Sequence, residues 1–164
     1  MTILWSDDLQ DTITFVRKRQ NGSNGNTNMY ISPNIGIKMY KPTVLYVNTK
    51  YIVFKFEKKD HLTLCLLLRK ISDNLKAKLH STFYDLKEKH IYDIISETDD
   101  DFTIRCNIPG TTGKYFVKTN DHSMFRLPRV SAVYNNVVIE FRNYWEQNGK
   151  VGMNSELKYV QYDI

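Results

Sequence analysis

Cations and aromatic rings alternate closely between residues 14 and 70. This stretch holds eleven Lys or Arg residues against two acidic ones, in a chain of net charge +5. Within it, Lys38-Met39-Tyr40-Lys41, Lys50-Tyr51 and Phe54-Lys55-Phe56 each place a ring beside a cation. Cations neutralise phosphates and flat rings stack on bases, so this pattern is typical of a surface that contacts a single-stranded nucleic acid.

The acidic residues are concentrated elsewhere along the chain. Residues 71–102 hold eight Asp or Glu against four Lys, and residues 1–13 hold three unopposed Asp. Segregated charge creates a field that orients a polyanion, whereas a uniformly basic surface could serve solubility alone. An AT-biased genome would also enrich Lys, Asn, Ile and Tyr, so a basic composition without any binding role stays as the alternative.

We predict that the binding residues are cations for phosphates and tyrosines for stacking. The predicted phosphate contacts are Arg17, Lys18, Arg19, Lys38, Lys41, Lys50, Lys55, Arg105 and Lys118. The predicted stacking residues are Tyr40, Tyr46 and Tyr51. Removal of a stacked ring costs about 1–3 kcal/mol of binding, whereas loss of an exposed ring that touches nothing costs little. Substitutions can therefore separate binding from the alternative.

Motifs for catalysis or metal binding are missing from the sequence. It contains no P-loop, no Gly-x-Ser-x-Gly, no His-Glu-x-x-His and no zinc-ligand spacing. His61, His80, His90 and His122 are widely spread, as surface or capping residues would be. Asp99-Asp100-Asp101 offers the oxygen ligands that Mg²⁺ prefers, which leaves a nuclease as a remote alternative. We expect no enzymatic activity, no metal and no cofactor.

Length and composition predict one globular domain over residues 1–164. Hydrophobic residues make up 41% and charged residues 25% of the chain, which excludes wholesale disorder. The start of the sequence lacks the features of a signal peptide, and the longest apolar run, residues 64–68, is too short to span a bilayer. Cys65 and Cys106 are expected to be reduced core residues. We expect a soluble intracellular protein with no membrane partner.

The residue pattern predicts a β-rich α+β fold. A first strand over residues 12–19 precedes a flexible polar loop at about residues 21–28. Residues 44–47 and 50–56 predict a hairpin that turns at Asn48-Thr49. In its second strand, alternation would turn Ile52, Phe54 and Phe56 inward and leave Tyr51 and Lys55 for a ligand.

A change of period predicts a helical insertion at about residues 61–95. Leucines and an isoleucine recur at helical spacing over residues 61–80, which predicts an amphipathic helix packed on a sheet. Residues 81–95 predict a second, weaker helical segment. One or two central helices are therefore expected.

The second half of the chain predicts two further hairpins. One joins residues 103–108 to residues 114–119, with Arg105 and Lys118 on its polar face. The other joins residues 137–145 to residues 150–162 through Asn148-Gly149, the strongest short hairpin signal. Simple alternation places Trp145 on the core face of its strand.

The order of these parts resembles the compact single-stranded-DNA-binding proteins of large DNA viruses and phages. The resemblance covers the chain from about residue 40 onward. Most of it lies in residues 141–161, where Gly149-Lys150-Val151-Gly152-Met153 leads into Leu157-Lys158-Tyr159-Val160-Gln161. It implies an OB-like, partly open antiparallel barrel that binds single strands non-specifically in replication or recombination. Many such proteins end in a long acidic tail, whereas only Asp163 stands here before Ile164, so recruitment of partners by a tail is not implied.

The leading hypothesis is a non-specific binder of single-stranded DNA. RNA stays open, because the 2′-hydroxyl is recognised by local geometry that composition does not encode. The alternative is a structural or scaffolding protein of a virus particle or transcription complex, in which the basic aromatic stretch meets an acidic protein. Exposed edge strands would permit a homodimer or a cooperative assembly.

Overall fold

The computed structural model describes residues 2–19 and 27–162. These residues form thirteen strands and one α-helix. In chain order the elements are β1 (Ile3–Leu4), β2 (Thr14–Arg19), β3 (Thr27–Tyr40), β4 (Thr43–Val47), β5 (Tyr51–Glu57), α1 (Lys58–Thr82), β6 (His90–Ile91), β7 (Ser96–Glu97), β8 (Asp101–Asn107), β9 (Gly110–Thr111), β10 (Lys114–Tyr115), β11 (Lys118–Thr119), β12 (Asn136–Gln147) and β13 (Lys150–Gln161).

An open sheet organises the described residues, with strand order β1-β3-β12-β13-β8-β5-β4. β2 pairs with β3, β7 pairs with β8, and both β6 and β11 pair with β13. The predicted β-rich α+β class is confirmed, with one helix. The predicted loop at residues 21–28 lies outside the described residues except for its last two, which begin β3.

The terminal hairpin is confirmed and forms the centre of the sheet. β12 pairs antiparallel with β13 on one side and with β3 on the other. The turn between them places Asn148 at φ 52° and Gly149 at φ 77°, the left-handed conformations that a two-residue hairpin turn requires. Valine, isoleucine, leucine and aromatic side chains of these strands fill the core on one side of the sheet.

The β4–β5 hairpin is also confirmed. The Asn48 side-chain oxygen accepts hydrogen bonds from the backbone N–H groups of Lys50 (2.8 Å) and Tyr51 (2.9 Å), which fixes the turn. Along β5, buried and half-buried residues alternate, and Ile52, Phe54 and Phe56 enter the core as predicted.

Helix α1 covers the core side of the sheet. It begins directly after β5, and its start is irregular at His61 (φ −133°, ψ 32°). Leu68, Ile71, Leu75 and Leu79 lie on its buried side with Cys65, in agreement with the predicted amphipathic helix. The observed helix runs slightly beyond the predicted bounds at both ends.

The prediction of a second helical segment over residues 81–95 is wrong. The Ser81 and Thr82 hydroxyls donate to the Lys78 carbonyl (3.0 and 2.7 Å), and Phe83 then adopts an extended backbone, which ends α1. The isoleucines that follow have a helix-like spacing. However, β6 pairs with β13, so contacts distant in the sequence decide the structure here.

The hairpin predicted between residues 103–108 and 114–119 is also wrong. β8 instead pairs with β5 along all seven of its residues, from Tyr51↔Asn107 to Glu57↔Asp101. This pairing buries Phe102, Ile104 and Cys106 against a long apolar partner, which the short later segment could not supply. The later residues form the small β9–β10 hairpin and β11, which runs parallel to β13.

Cys65 and Cys106 are both buried and unpaired, as expected for core cysteines. Burial raises the pKa of the Cys106 thiol far above its usual range, so this sulfur is protonated and inert. Within residues 2–19 and 27–162, no helix is both long enough and apolar enough to cross a bilayer.

Candidate nucleic-acid interface

The side of the sheet opposite the core is called here the outer face. Side chains alternate between the two faces of a strand, so every second residue of each strand points to the outer face. Asn107 of β8 pairs with Glu156 of β13, and this bridge joins the β4-β5-β8 half of the sheet to the β3-β12-β13 half. The outer face is therefore continuous across both halves.

Tyr46, Tyr51 and Arg105 meet on this face and are called the Tyr51 cluster. The ring centroids of Tyr46 and Tyr51 are 5.6 Å apart, and the Arg105 guanidinium lies 4.1 Å from the Tyr51 ring centroid. Strand pairing explains the contact, because β4, β5 and β8 are neighbours and Val53 pairs with both Tyr46 and Arg105. Three residues predicted separately from the sequence thus form one cluster.

Arg105 is exposed and makes no ion pair within the described residues. Its contact with Tyr51 is a cation–π interaction, worth about 0.5–1 kcal/mol at an exposed site. The ring holds the guanidinium without neutralising it. The Tyr51 cluster therefore presents an available positive charge beside two rings.

Two further lysines lie near this cluster, Lys50 in the turn just before β5 and Lys55 on β5. Lys50 is exposed in the turn, next to Tyr51. The Lys55 ammonium lies 3.6 Å from the Asp101 carboxylate, and both side chains are about one-third exposed. An exposed pair of this kind contributes about 0–1 kcal/mol, so a phosphate could compete with Asp101 for the lysine.

A cleft of about 970 Å³ opens between β8 and β13 and is called the β8–β13 cleft. The two strands pair only at Asn107 and Glu156. Beside this bridge, residues 90–97 connect the two strands and line the cleft, since β6 pairs with β13 and β7 pairs with β8. Its lining includes Tyr92, Thr103, Arg105, Asn107, Trp145 and Asn154.

Trp145 lines the β8–β13 cleft, although simple alternation placed it in the core. A register shift between Phe141 and Asn143 inserts one residue and reverses the alternation. Tyr144 therefore becomes fully buried, and Trp145 remains half-buried on the outer face. The prediction of a core Trp145 is wrong because a β-bulge cannot be seen in the residue pattern.

Gly152 lets the Trp145 indole lie close against the backbone of β13. The two residues are direct cross-strand partners. A Cβ atom on Gly152 would stand 2.4 Å from Trp145 Cζ2, closer than any real contact. The Tyr92 ring centroid lies 6.3 Å from that of Trp145, and His90 meets Tyr92 edge to face at 4.7 Å. Gly152 is thus the residue that shapes this aromatic wall.

Four asparagines form a chain of side-chain hydrogen bonds across β8, β13, β12 and β3. Asn107 Nδ2 donates to Asn154 Oδ1, Asn154 Nδ2 donates to Asn143 Oδ1 (3.2 Å), and Asn143 Nδ2 donates to Asn28 Oδ1 (3.1 Å). Two members, Asn107 and Asn154, line the β8–β13 cleft. Sequence reasoning missed this chain, because the asparagines are far apart in sequence.

The middle of the outer face carries paired charges, called the Glu140 network. Glu140 is almost fully buried and accepts hydrogen bonds from Arg142 Nη1 (3.1 Å) and the Thr2 hydroxyl. Glu156 lies 3.5 Å from Arg142 and 3.1 Å from the Lys158 ammonium. The two cations and two carboxylates balance, so this region offers no net charge to a phosphate.

Lys38, Tyr40 and Lys118 lie on the far side of the Glu140 network. Lys118, Tyr159, Val138 and Lys38 occupy one row across β11, β13, β12 and β3. The Lys38 ammonium lies 5.5 Å from the Tyr40 ring centroid. At about 4.8 Å per strand, the two lysines are about 14 Å apart across the sheet, so they form a second and looser basic patch.

Lys41 lies just after β3, in a left-handed conformation (φ 52°). Its backbone N–H donates to the Asn135 carbonyl (2.9 Å), which links the end of β3 to the segment that enters β12. Its backbone thus has a structural role.

The remaining predicted cations lie on β2, at the edge of the sheet. Arg17 donates two hydrogen bonds to Asp85 (2.9 and 3.1 Å), lies over the Phe83 ring at 4.2 Å and lowers the pKa of the Asp85 carboxyl. Arg17 thus fastens β2 to the segment after α1. Lys18 lies 5.6 Å from the Tyr30 ring, and Arg19 is exposed at the strand end. The twelve predicted residues do not form one surface.

The described residues contain no group of three or more His, Cys, Asp or Glu that could hold a metal ion. Asp99 and Asp100 lie in an exposed loop beside the start of α1. Glu97 is engaged with α1 through Arg69 (Nε to Oε2, 2.8 Å) and Lys58 (3.0 Å). These bonds, led by those from Arg69, lower the pKa of Glu97 to about 2.

Comparison with known proteins assigns this chain to no family: no family model matches it, and no curated protein is significantly similar to it in sequence.

Proposed function

We propose that this protein binds single-stranded nucleic acid, with DNA as the principal ligand, through the outer face of its sheet. Binding combines neutralisation of phosphates with stacking of bases and involves no chemical reaction. The observation that carries the proposal is the Tyr51 cluster, in which two rings and a cation without a carboxylate partner among the described residues meet beside a cleft. A single strand presents bases and phosphates together, and this cluster offers a partner for each.

Five cations on the outer face or at its edge can contact phosphates in this proposal. They are Lys38, Lys50, Lys55, Arg105 and Lys118. None of them belongs to the Glu140 network, and only Lys55 makes an ion pair within residues 2–19 and 27–162. The proposal leaves Arg17 out, since its guanidinium is held by Asp85.

The proposal includes an OB-like architecture and an intracellular role in replication or recombination. The sheet is mixed, since β13 pairs parallel with β6, β8 and β11. Its long strand pairs are antiparallel, and together with the open edge order and a helix on the core side they support a relation to partly open barrels that bind single strands on one face. Two buried, unpaired cysteines fit a reducing compartment. The edge strand β2 supports a homodimer or a cooperative assembly along a strand, whereas the outer edge of β4 is partly covered by residues 131–133.

Fluorescence anisotropy with labelled oligonucleotides tests the proposal directly. The probes are oligo-dT, a mixed-sequence duplex and the RNA of matching sequence, each at low and near-physiological salt. We expect tight binding of oligo-dT, weaker binding of the duplex and a log–log salt slope near −3.5, because single strands give about −0.7 per neutralised phosphate and five cations are available. Salt-independent affinity, or equal affinity for the duplex, would overturn the mechanism.

The alternative of a protein scaffold makes a different prediction in the same assay. If the basic outer face meets an acidic protein, none of the three probes binds even at low salt. Association with a protein partner that survives nuclease treatment would then replace the proposed function. Cleavage of a probe with Mg²⁺ or Mn²⁺ that is lost in Asp100→Asn would instead indicate a nuclease.

A further inference from the structure

The β8–β13 cleft has the size and lining of a site for a planar ligand. Its volume of about 970 Å³ lies within the usual range of small-ligand sites, about 300–1,000 Å³. Two aromatic rings, Trp145 and Tyr92, and two carboxamides, Asn107 and Asn154, line it. Flat apolar surface together with a few fixed polar groups is the combination that recognises a nucleobase.

The acidic residues of the cleft do not oppose a polyanion. Asp93 is paired with the Lys76 ammonium, and Glu97 is paired with Lys58 and Arg69. Both carboxylates are therefore neutralised by helix α1. Arg105 lines the same cleft and is the cation of the Tyr51 cluster, so a strand that crosses the Tyr51 cluster lies beside this opening.

Asn107 is the polar group best placed to contact a base. Its Nδ2 donates one hydrogen bond to Asn154, which fixes the orientation of the carboxamide. Its Oδ1 accepts no hydrogen bond within the described residues, and the second N–H is not used there either. One acceptor and one donor thus stand side by side, as the edge of a base requires.

We propose that the β8–β13 cleft takes a single base, flipped out of the bound strand, that stacks on Trp145 and hydrogen-bonds to the Asn107 carboxamide. This inference rests on the proposed function and adds to it a specific place for one nucleotide. The rest of the strand runs over the Tyr51 cluster. Gly152 is a positioning residue in this site, because it sets the height of the indole above β13.

The fluorescence of Trp145 gives a direct test, since the chain has only one other tryptophan, Trp5. In the Trp5→Phe protein, Trp145 is the only tryptophan, and a stacked base quenches its emission under excitation that is selective for tryptophan. We expect oligo-dT to quench this emission, and an abasic oligonucleotide of equal length to bind more weakly without quenching. Thymidine monophosphate at high concentration is the third probe, and anisotropy of labelled oligo-dT is recorded in parallel.

The outcomes separate this site from the proposed function. Oligo-dT that binds by anisotropy without quenching Trp145 overturns the base site and leaves the proposed function standing. Quenching by the monophosphate without binding of oligo-dT supports the base site and overturns the proposed function. If the probes neither bind to the protein nor quench Trp145, both the base site and the proposed function are overturned.

A matched pair of glycine substitutions extends the test. Gly152→Ala forces the indole away from β13 and is expected to weaken oligo-dT binding about tenfold, the loss of one stacked base. Gly36→Ala, also at a buried glycine of the sheet, brings a Cβ to 2.7 Å from Thr2 Cγ2 and 3.1 Å from the Ile139 carbonyl oxygen, touches no residue of the cleft, and is expected to keep wild-type affinity. Equal affinity in both folded variants would overturn the base site. Quenching in Trp5→Phe decides the matter if Gly152→Ala fails to fold.

Discussion

Two regions of the outer face contain the same kinds of charged residue and use them in opposite ways. In the Glu140 network, Arg142 and Lys158 neutralise Glu140 and Glu156. In the Tyr51 cluster, Arg105 lies on an aromatic ring. The first arrangement consumes positive charge for the fold, whereas the second holds a cation in place and leaves its charge available.

The difference teaches that a count of cations overstates a binding surface. Arg17 and Arg142 contribute to the net charge of the chain, yet each is engaged with a carboxylate. Arg105 lies outside the most basic stretch of the sequence, yet it lies over the Tyr51 ring and has no carboxylate partner among the described residues. The partner of a cation, more than its position in a basic run, indicates whether it can meet a phosphate.

The largest effect is expected from Tyr51→Ala. This change removes a stacking ring and the platform of Arg105, so affinity for oligo-dT should fall by about 1–3 kcal/mol. Tyr84→Ala is the matched control, because Tyr84 also lies under a cation, Lys87 at 4.7 Å, but on the turn after α1. Anisotropy titration measures both. Equal losses in the two variants would contradict the assignment of the Tyr51 cluster.

The two arginines should separate binding from stability. Arg142→Ala leaves buried Glu140 with Lys158 at 3.8 Å and Thr2, and should lower stability by about 1–2 kcal/mol. At about 2–4 °C per kcal/mol for a chain of this size, Tm should fall by several degrees without loss of affinity. Arg105→Ala should instead weaken binding of oligo-dT and leave Tm unchanged. Thermal melts measure Tm and anisotropy measures the affinity for oligo-dT in both variants. If both variants change in Tm and affinity in the same way, the two regions do not differ as described.

The salt dependence should sharpen the same contrast. Removal of one phosphate contact reduces the magnitude of the log–log slope by about 0.7. We expect this reduction in Arg105→Gln and no change in Arg142→Gln, since Arg142 is held by Glu140 and Glu156. Titrations at four or more salt concentrations measure the slopes. An unchanged slope in Arg105→Gln would mean that its guanidinium meets no phosphate.

The smallest effect is a pH dependence that originates at Glu97. Its pKa is lowered from 4.5 to about 2 by Arg69 and Lys58, so the folded state favours the carboxylate. The resulting stability is complete above pH 4.5 and is lost as pH falls toward 2. Denaturant unfolding measures the free energy of unfolding across this pH range. This free energy should decrease less steeply with falling pH in Glu97→Gln than in the wild type. Identical slopes would show that the contact with α1 contributes nothing.

The sequence predicted the elements that local signals determine. Asn148-Gly149 specified the terminal hairpin, and the alternation in β5 correctly assigned Ile52, Phe54 and Phe56 to the core. The leucine spacing in α1 likewise gave its buried side. In each case one stretch of chain contains the whole signal, because turn conformation and side-chain period are local properties.

The rest depended on contacts that no local signal reveals. The β-bulge after Phe141 moved Trp145 from the core to the cleft, and pairing with β13 drew residues 90–91 out of a helix-like pattern. One clue was present: counting back from the Asn-Gly turn puts Gly152 opposite Trp145. The Tyr51 cluster needed the β5–β8 pairing, which joins residues far apart in the sequence.

The position of β13 in the chain has a consequence for the order of events during synthesis. Along one edge this strand pairs with β6, β8 and β11, and along the other with β12, and all four are made before it. Until the ribosome has translated β13, these four strands lack their shared partner and expose apolar surface. A domain dominated by such distant pairings folds slowly and depends on chaperones more than a helical one does. Ribosome stalling before residue 150 should therefore leave a nascent chain that proteases cleave readily.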